Sequence, residues 1–348
     1  MKQKKAIVFF SAGIGDAVLL IPLVKHLKKQ GYLVSGFFNS PHSCQEIFLD
    51  NKLLDEMLVY KTKTKHVLFS AQRFLKFDVA IVNYFAASRK NLITAGLVSK
   101  KVLTNKKVVS ASTNLFNAKT KFVAPTHNVH DAQQNLLLAG TSDKVSLQDF
   151  SIDFVEKKRQ SLPHSFVAVQ ISAGNNKVQY KNWPAKYWIE FLKLFIQQYP
   201  NKKIVLLGDE NEIGLSDEIT SQVKTNVTSL IGKTNIKEAM NVLALSEFFI
   251  GLDGGLMHLA VALNKPTFTI WGPSNENLYG YEKFDPQRHK CVHLSLSCRS
   301  CSAWIDPNQT KVSSPELCPD HACMQNFLPE TVFNQLKQYV TSLSAHAG

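Results

Sequence analysis

The chain has 348 residues, of which 45% are hydrophobic, and a formal net charge of +13. This length exceeds one ordinary hydrophobic core, and the apolar content is too high for a disordered chain, so two domains are expected. No apolar stretch reaches the roughly 18 residues that a membrane-spanning helix needs, and we expect neither a membrane span nor a signal peptide.

Short apolar runs alternate with amphipathic segments from the start of the chain. Residues 6–10 predict a buried strand, and residues 17–29 predict a helix that follows after a glycine-containing turn. Further strands are predicted at 33–38 and 79–82. The alternation indicates an α/β domain with an open parallel sheet, which we place at residues 1–160.

A second α/β domain follows, in which the rhythm of strands and helices is clearer. We place it at residues 161–328 and expect residues 329–348 to form a C-terminal helix that packs back toward the N-terminal domain. The predicted strands of the second domain are 166–171, 204–207, 248–252 and 267–270, and its predicted helices are 188–198, 236–245 and 256–263.

Positive charge is concentrated in the first 150 residues, which hold 21 Lys and Arg against 9 Asp and Glu, whereas the remainder holds 19 against 18. This asymmetry suits a polyanionic partner such as a phosphorylated glycolipid or an anionic membrane face, and a merely solvated lysine-rich surface explains it equally well. Nucleic acid is the least favoured partner. The lysine runs at 61–65 and 100–107 lack interleaved aromatic residues, and no nucleic-acid-binding motif accompanies them.

Four turns between strands and helices carry chemically useful residues, at the carboxyl ends of strands where parallel sheets bind ligands. The first contains Gly13, Ile14, Gly15 and Asp16. Val18 stands where the dinucleotide-binding fingerprint requires its third glycine, so a dehydrogenase is disfavoured. Taken alone, Asp16 is more simply a helix-capping residue.

The second and third turns suggest contacts to a nucleotide. Lys181 lies beside Trp183 and Pro184, where a lysine near a helix start suits a phosphate group. Gly208 opens an acidic loop that includes Glu212, and a carboxylate at the end of a strand suits the hydroxyls of a ribose. A surface lysine and a solvated acidic loop are the alternative interpretations.

The fourth turn is the strongest signal in the sequence. Two consecutive glycines at a helix N-terminus expose backbone N–H groups that can cradle a pyrophosphate. His258 is either a phosphate donor or a packed, hydrogen-bonded histidine. The candidate ligand-binding residues of this turn are Asp253, Gly254, Gly255, Leu256, Met257 and His258.

Together, the order and spacing of these four turns resemble glycosyltransferase family 9, the heptosyltransferases that build the inner core of lipopolysaccharide. Pro266 and the Trp-Gly-Pro run at 271–273 extend the resemblance, which covers nearly the whole chain. It implies a GT-B fold, in which two Rossmann-like α/β domains with parallel sheets face each other across a cleft. The first domain would bind the acceptor and the second the nucleotide-sugar donor.

The same resemblance implies an inverting transfer of heptose from ADP-heptose onto a lipopolysaccharide inner-core or lipid A-Kdo type acceptor, with no cofactor required for catalysis. Such an enzyme is cytoplasmic and peripheral at the cytoplasmic face of the inner membrane. The preference for ADP over UDP or GDP rests on the resemblance alone. The rival interpretations are another nucleotide-sugar GT-B enzyme, a 2-epimerase, and a non-catalytic protein that binds nucleotide-sugar or glycolipid.

Roles for individual residues also follow from the resemblance. Asp16 would be the general base, Lys181 would bind the donor phosphates and assist catalysis, Glu212 would bind the ribose, and the amides of residues 254–257 would bind the pyrophosphate. Gly254 stands where family members commonly have Ser or Thr, which removes one hydroxyl contact to phosphate.

Five of the six cysteines lie in a Cys-rich segment at residues 291–323. Such clustering is unlike a secreted disulfide scaffold and fits a cytosolic protein. The spacing approximates a structural zinc site, and a local disulfide or free buried thiols fit as well. The candidate ligands are Cys298, Cys301, Cys318 and Cys323.

Overall fold

The computed structural model describes residues 3–11, 13–38, 43–59, 72–108, 113, 115–126, 128–156, 162–174, 179–301 and 318–346. The chain divides into two compact units, Met1–Asp153 and Phe154–Gly348. The division lies close to the expected boundary after residue 160. Each unit is built around a six-stranded parallel sheet.

The first sheet forms around the most apolar strands of the first unit. Its strands are β1 (Lys5–Phe10), β2 (Leu33–Phe38), β3 (Glu56–Val59), β4 (Val79–Val82), β5 (Val102–Thr104) and β6 (Thr120–Phe122). Their order is β3-β2-β1-β4-β5-β6, and every described pair is parallel. The predicted strands β1, β2 and β4 are confirmed. The short strands β3, β5 and β6 were not predicted, because three or four residues carry little periodic signal.

The helices of the first unit are α1 (Ile14–Leu19), α2 (Ile21–Lys29), α3 (Arg89–Val98) and α4 (Asp131–Leu138). The single helix predicted at 17–29 is therefore wrong in one respect, because two helices occupy the region and the first begins at Ile14. Pro22 lies at the start of α2. Proline has no backbone N–H and cannot continue the hydrogen-bond ladder of α1, so the chain bends between Leu19 and Ile21.

The second sheet has strands β7 (Phe166–Val169), β8 (Lys203–Leu206), β9 (Val227–Ser229), β10 (Phe249–Leu252), β11 (Thr267–Trp271) and β12 (His289–His293). Their order is β12-β11-β10-β7-β8-β9, again with parallel pairs. The four strands predicted here are confirmed to within two residues. The outer strands β9 and β12 were missed because polar residues interrupt them, and pairing with the neighbouring strand decides their conformation.

The helices of the second unit are α5 (Ala185–Gln198), α6 (Ile213–Gln222), α7 (Ile236–Leu245), α8 (Gly255–Ala262), α9 (Glu276–Tyr279), α10 (Ala322–Gln325) and α11 (Pro329–His346). The α7 helix begins with a capping box, in which Asn235 and Glu238 each accept the other's backbone N–H. Short 3₁₀ helices lie at Ser43–Phe48, Asn117–Lys119, Leu147–Phe150, Gln179–Lys181 and Glu210–Glu212. Among the residues described, no helix is long and apolar enough to cross a membrane.

The C-terminal helix α11 belongs to the second unit. Phe333 packs edge-on against Phe191 of α5, and Leu336 is fully buried in the same core. The Tyr339 hydroxyl donates to the backbone carbonyl of Arg288 at 2.8 Å. The apolar side of α11 thus completes the core of the second unit, and the expected packing toward the N-terminal domain stays a prediction.

Each sheet reverses its strand order once, between β1 and β4 in the first unit and between β7 and β10 in the second. The loops leaving two such strands run to opposite faces of the sheet and leave a crevice between them, which is where open α/β sheets bind ligands. The turn with Asp16 follows β1. The segments that carry Lys181 and Asp253 follow β7 and β10.

A buried polar network holds α4 against the end of α1 in the first unit. The Asn135 amide donates to the Leu19 carbonyl at 3.2 Å and to the Asp131 carboxyl at 3.3 Å, and it accepts from the Asn83 amide. Burial, and then the nearby Asp16 carboxylate, raise the pKa of Asp131 from 3.8 to about 7, against the opposing effect of the Asn135 bond. Asp131 is therefore neutral below about pH 7.

This raised pKa predicts a pH-dependent stability. Because its pKa is higher in the folded state, the protonated Asp131 carboxyl stabilises the fold, and this stabilisation is complete below pH 3.8. It is lost as the pH rises from 3.8 to about 7, by at most about 1.4 kcal/mol of unfolding free energy per pH unit. Asp131→Asn mimics the neutral form and removes this dependence. We expect the melting temperature of the variant, relative to the parent protein, to rise by several degrees between about pH 5 and pH 8 and then level off. A difference that stays constant across this range would show that Asp131 does not titrate there.

Candidate functional site

Three of the four predicted turns meet at the carboxyl edge of the second sheet, and the first lies in the first unit. Lys181 ends the 3₁₀ turn that follows β7, Glu212 ends the 3₁₀ turn that follows β8, and Asp253 follows β10 directly. Since β8, β7 and β10 are neighbours, residues far apart in sequence are brought to one edge.

A buried ion pair joins two of these turns. The Lys181 ammonium donates to Asp253 Oδ2 at 2.6 Å, and the two side chains are only 14% and 9% exposed. Burial acts to raise the pKa of Asp253, but the Lys181 charge outweighs it with help from Ser274 and His258, so the pKa lies below its usual value. Lys181 is therefore not the surface lysine of the alternative interpretation.

The helix α8 presents its N-terminus beside this ion pair. Its N-cap is Gly254, with extended backbone angles and no side chain to accept hydrogen bonds from the first-turn N–H groups. The helix dipole adds partial positive charge at this end. Gly255 starts the helix, and the side chains of Leu256 and Met257 pack into the core, so only their backbone can face a ligand. The arrangement suits an anion such as a diphosphate.

His258 is a packed histidine. Its Nδ1 lies 2.7 Å from the Tyr281 hydroxyl, and both side chains are buried. Burial lowers the pKa of His258 from 6.5 to about 4, although the Asp253 carboxylate opposes this. The imidazole is therefore neutral near pH 7, which favours the structural interpretation over a charged phosphate contact.

Glu212 is a buried carboxyl rather than part of a solvated loop. It is 5% exposed, and its Oε2 occupies the space above Gly208 that a Cβ would fill. Burial, and then Asp209, raise the pKa of Glu212 to about 8 against the effect of a hydrogen bond from Ser172. Within the part of the chain that the structure describes, Oε2 has no hydrogen-bond partner. The group is thus neutral and poised to bond a hydroxyl.

Asp16 lies in the first turn of α1, two residues after Ile14 and next to Gly15, and the helix N-cap is Gly13. The Ser11 hydroxyl donates to Asp16 Oδ2 at 2.6 Å, and a Cβ on Gly13 would lie 2.6 Å from the same oxygen. Asp16 is therefore not the N-cap of this helix, and its half-buried carboxylate is held at the carboxyl end of β1.

Sequence reasoning assigned no role to several residues that lie beside the predicted ones in each unit. Ser11 orients Asp16, and Asn182 shapes the loop after β7 by accepting from the Ala173 N–H at 2.9 Å and the Ser172 hydroxyl at 3.3 Å. The sequence offered one indication of their roles, which is that Ser11 and Asn182 lie within two residues of predicted site residues. Tyr281 had no such signal, because it meets His258 only in the folded chain.

The Cys-rich segment brings thiols together without a disulfide among the described residues. Cys298 is exposed, Cys301 and Cys318 are partly buried, and Cys323 is buried. Burial raises the pKa of Cys323 to about 12, and the other three cysteines add to the shift. Residues 302–317 lie outside the described residues. Within the described ranges no three His, Cys, Asp or Glu side chains form a group that could hold a metal ion.

Comparison with known proteins agrees with this architecture. The lipooligosaccharide heptosyltransferase 2 of Campylobacter jejuni subsp. jejuni serotype O:6 is 23% identical over 349 residues, which cover 97% of this chain and 99% of that protein. The structure of a family 9 glycosyl transferase from Veillonella parvula is similar with a TM-score of 0.73 and 17% identity, and the match covers 98% of both chains. That of E. coli ADP-heptose lps heptosyltransferase II is similar with a TM-score of 0.69 and 17% identity, over 97% of this chain and 98% of that one.

The two parallel sheets and these structural likenesses confirm the expected α/β class and the pair of Rossmann-like domains of the GT-B fold. The sequence model of glycosyltransferase family 9 (heptosyltransferase) matches residues 82–311, which is more than half of the chain. With that match, the family first suggested by four turns is established, and this chain belongs to glycosyltransferase family 9.

Proposed function

We propose that this glycosyltransferase moves heptose from ADP-heptose onto an anionic lipopolysaccharide inner-core acceptor, with inversion at the anomeric carbon. The names of its relatives support this donor and acceptor, since one is a lipooligosaccharide heptosyltransferase and another an ADP-heptose lps heptosyltransferase. Membership of a transferase family disfavours the 2-epimerase and the non-catalytic binding protein.

The observation that carries the proposal is the ion pair of Lys181 and Asp253 beside the glycine N-cap of α8. An ammonium group has three donors, and Asp253 accepts one of them. The others are available to donor phosphates, together with the first-turn amides of α8. When the glycosidic bond breaks, negative charge grows on the departing diphosphate, and these fixed positive groups stabilise it.

Glu212 supports the nucleotide end of the same ligand. Its Oε2, which has no hydrogen-bond partner in the described ranges, lies beyond the end of β8, two strands away from β10 in the same sheet. A neutral carboxyl group both donates and accepts, so it can bond a ribose hydroxyl without placing a charge beside the diphosphate.

Asp16 is the residue we assign to proton removal from the acceptor. A sugar hydroxyl is a weak nucleophile, and a carboxylate that takes its proton as the new bond forms contributes about a hundredfold or more to the rate. The Ser11 hydrogen bond orients the carboxylate for this task. A single displacement needs one such base, unlike the paired carboxylates of glycosidases.

The first unit also offers a surface for an anionic acceptor and membrane. Lys107 lies 4.9 Å from the ring centre of Phe122, which is 38% exposed, and Leu115 is 79% exposed. Basic groups next to exposed apolar side chains suit the headgroup region of a bilayer. Residues Lys61, Lys63 and Lys65 lie outside the described residues. We assign the protein a peripheral position on the cytoplasmic side of the inner membrane.

We further assign the four cysteines of the Cys-rich segment to a structural zinc ion. The spacing of the two cysteine pairs in the sequence approximates that of a four-cysteine site, which would form when the segment brings these thiols closer together than they lie in the described structure. Such an ion would tie the segment before α10 to the end of the second sheet and has no part in the proposed transfer.

Two substitutions separate binding from chemistry. Asp16→Asn should leave the affinity for ADP unchanged and lower sugar transfer at least about a hundredfold. Lys181→Ala should weaken ADP binding about tenfold or more, because a phosphate contact is lost and Asp253 is left unpaired. Calorimetric titration and a transfer assay measure the two effects, with the exposed Lys186→Ala as the matched control. Equal loss of ADP binding and sugar transfer in Asp16→Asn would contradict the role of Asp16 as the base. Tighter binding of UDP or GDP than of ADP would contradict ADP-heptose as the donor.

Salt should weaken association with vesicles that contain anionic glycolipid, because exposed charges are screened. The variant Lys107→Ala/Lys121→Ala should bind such vesicles several-fold more weakly in co-sedimentation. The matched control is Lys224→Ala/Lys237→Ala, which removes the same charge from the second unit. Salt-independent binding, or equal binding by the two variants, would contradict this docking surface.

Elemental mass spectrometry tests the zinc assignment. The purified protein should carry about one zinc ion per chain, and Cys298→Ser/Cys301→Ser should lose it and melt at a lower temperature. Cys291→Ser changes a cysteine outside the four and should keep the metal. Four titratable thiols in a metal-free protein, or a disulfide between them, would exclude the site.

A further inference from the structure

Gln170 occupies the point where the second sheet reverses its strand order. It follows β7 directly, and its backbone N–H donates to the Ile250 carbonyl of β10 at 2.9 Å. This bond places Gln170 alongside the strand that leads to Asp253 and Gly254. Its side chain is buried, with 5% of the residue exposed.

Gly254 makes room for this side chain, whereas the space beside Gly251 is filled first by the Phe249 ring, 2.5 Å from where a Cβ would lie. A Cβ on Gly251 would lie 3.0 Å from Gln170 Cβ, and a Cβ on Gly254 would lie 3.0 Å from both Nε2 and Oε1 of Gln170. Gly254 has a φ of −160°, an extended conformation that any residue adopts. The backbone therefore does not require glycine at this N-cap. The Gln170 amide restricts this position instead, because a Cβ there would force the amide to shift by a few tenths of an ångström.

The Gln170 amide carries an unsatisfied polar atom. Oε1 is buried and has no hydrogen-bond partner among the described residues. Buried polar atoms are normally paired, since an unpaired one keeps its full cost of desolvation. This unpaired amide oxygen is held against the N-terminus of α8, next to the Lys181–Asp253 pair, where a ligand from outside the chain can satisfy it.

We infer that Gln170 is a donor-binding residue that replaces the missing cap side chain of α8. Its Nε2 donates to an oxygen of the donor diphosphate at the helix N-terminus, and its Oε1 accepts from a hydroxyl of the sugar that the diphosphate carries. The amide suits this position because it both donates and accepts without adding charge beside Asp253. This inference rests on the proposed use of the α8 N-terminus for a nucleoside diphosphate.

The inference makes Gln170 and Gly254 a dependent pair. A serine at residue 254 brings a hydroxyl that can donate to phosphate, but its Cβ meets the Gln170 amide at 3.0 Å. Shortening residue 170 to alanine removes both the amide contact and the obstruction. The two substitutions should each harm binding alone and compensate when combined.

The experiment is calorimetric titration with ADP and with adenosine, which lacks the phosphates. Gln170→Ala and Gly254→Ser should each weaken ADP binding about tenfold, as expected for a hydrogen bond to a charged group, and the double variant should recover to within about threefold of the parent protein. Adenosine affinity should stay unchanged in all three variants. Gln170→Met keeps the side-chain volume and replaces Gln170→Ala in the titration if the alanine variant does not fold. It should weaken ADP binding to the same extent.

Different outcomes separate this inference from the proposed function. If the parent protein binds ADP and Gln170→Ala or Gln170→Met binds it equally well, the inference is wrong and the proposed donor stands. If both ligands weaken equally, Gln170 supports the fold rather than the phosphates, and the inference is also wrong. If the parent protein binds no ADP, the proposed function fails and the inference fails with it.

Discussion

The buried ion pair between Lys181 and Asp253 is the interaction on which the candidate donor site depends. Two ions removed from water gain little net stability from each other, because their desolvation offsets most of the attraction. The pair contributes by positioning a positive charge rather than by stabilising the fold. Asp253 compensates an ammonium that would otherwise be costly to bury, and so keeps a positive charge at the N-terminus of α8 while the site is empty. An incoming diphosphate then meets charge that is already oriented.

The fold also buries other polar groups at this edge of the sheet and leaves some of their atoms without hydrogen bonds. The Oε2 of Glu212 and the Oε1 of Gln170 have no partner among the described residues, and both lie at the carboxyl edge of the second sheet. The polar network of Asn83, Asp131 and Asn135 in the first unit shows the contrast. Its members bond one another, so the network holds helices in place, whereas the orphaned atoms of the second unit are available to a ligand.

The two units share an architecture but differ in net charge and in the groups that their turns carry. Both have six parallel strands with one reversal of order, and both place a chemically loaded turn at that reversal. The first unit carries nearly all of the net positive charge, which suits an anionic acceptor. It also carries Asp16, the residue that we assign to proton removal. The second is nearly neutral overall and holds the Lys181 ammonium beside the N-terminus of α8, which suits a diphosphate.

Local periodicity and residues within a single turn were enough to predict the longer buried strands, the glycine turns and their order. They were also enough to identify the family. Which side chains meet depends on the folded chain. Lys181 and Asp253 are far apart in sequence, and Gln170 reaches Gly254 only because β7 and β10 are neighbours in parallel register. The packing of α11 was decided in the same way, by a core assembled from distant strands. Sheet register and burial are properties of the folded chain, and they select the partner of each side chain and the groups that remain unpaired.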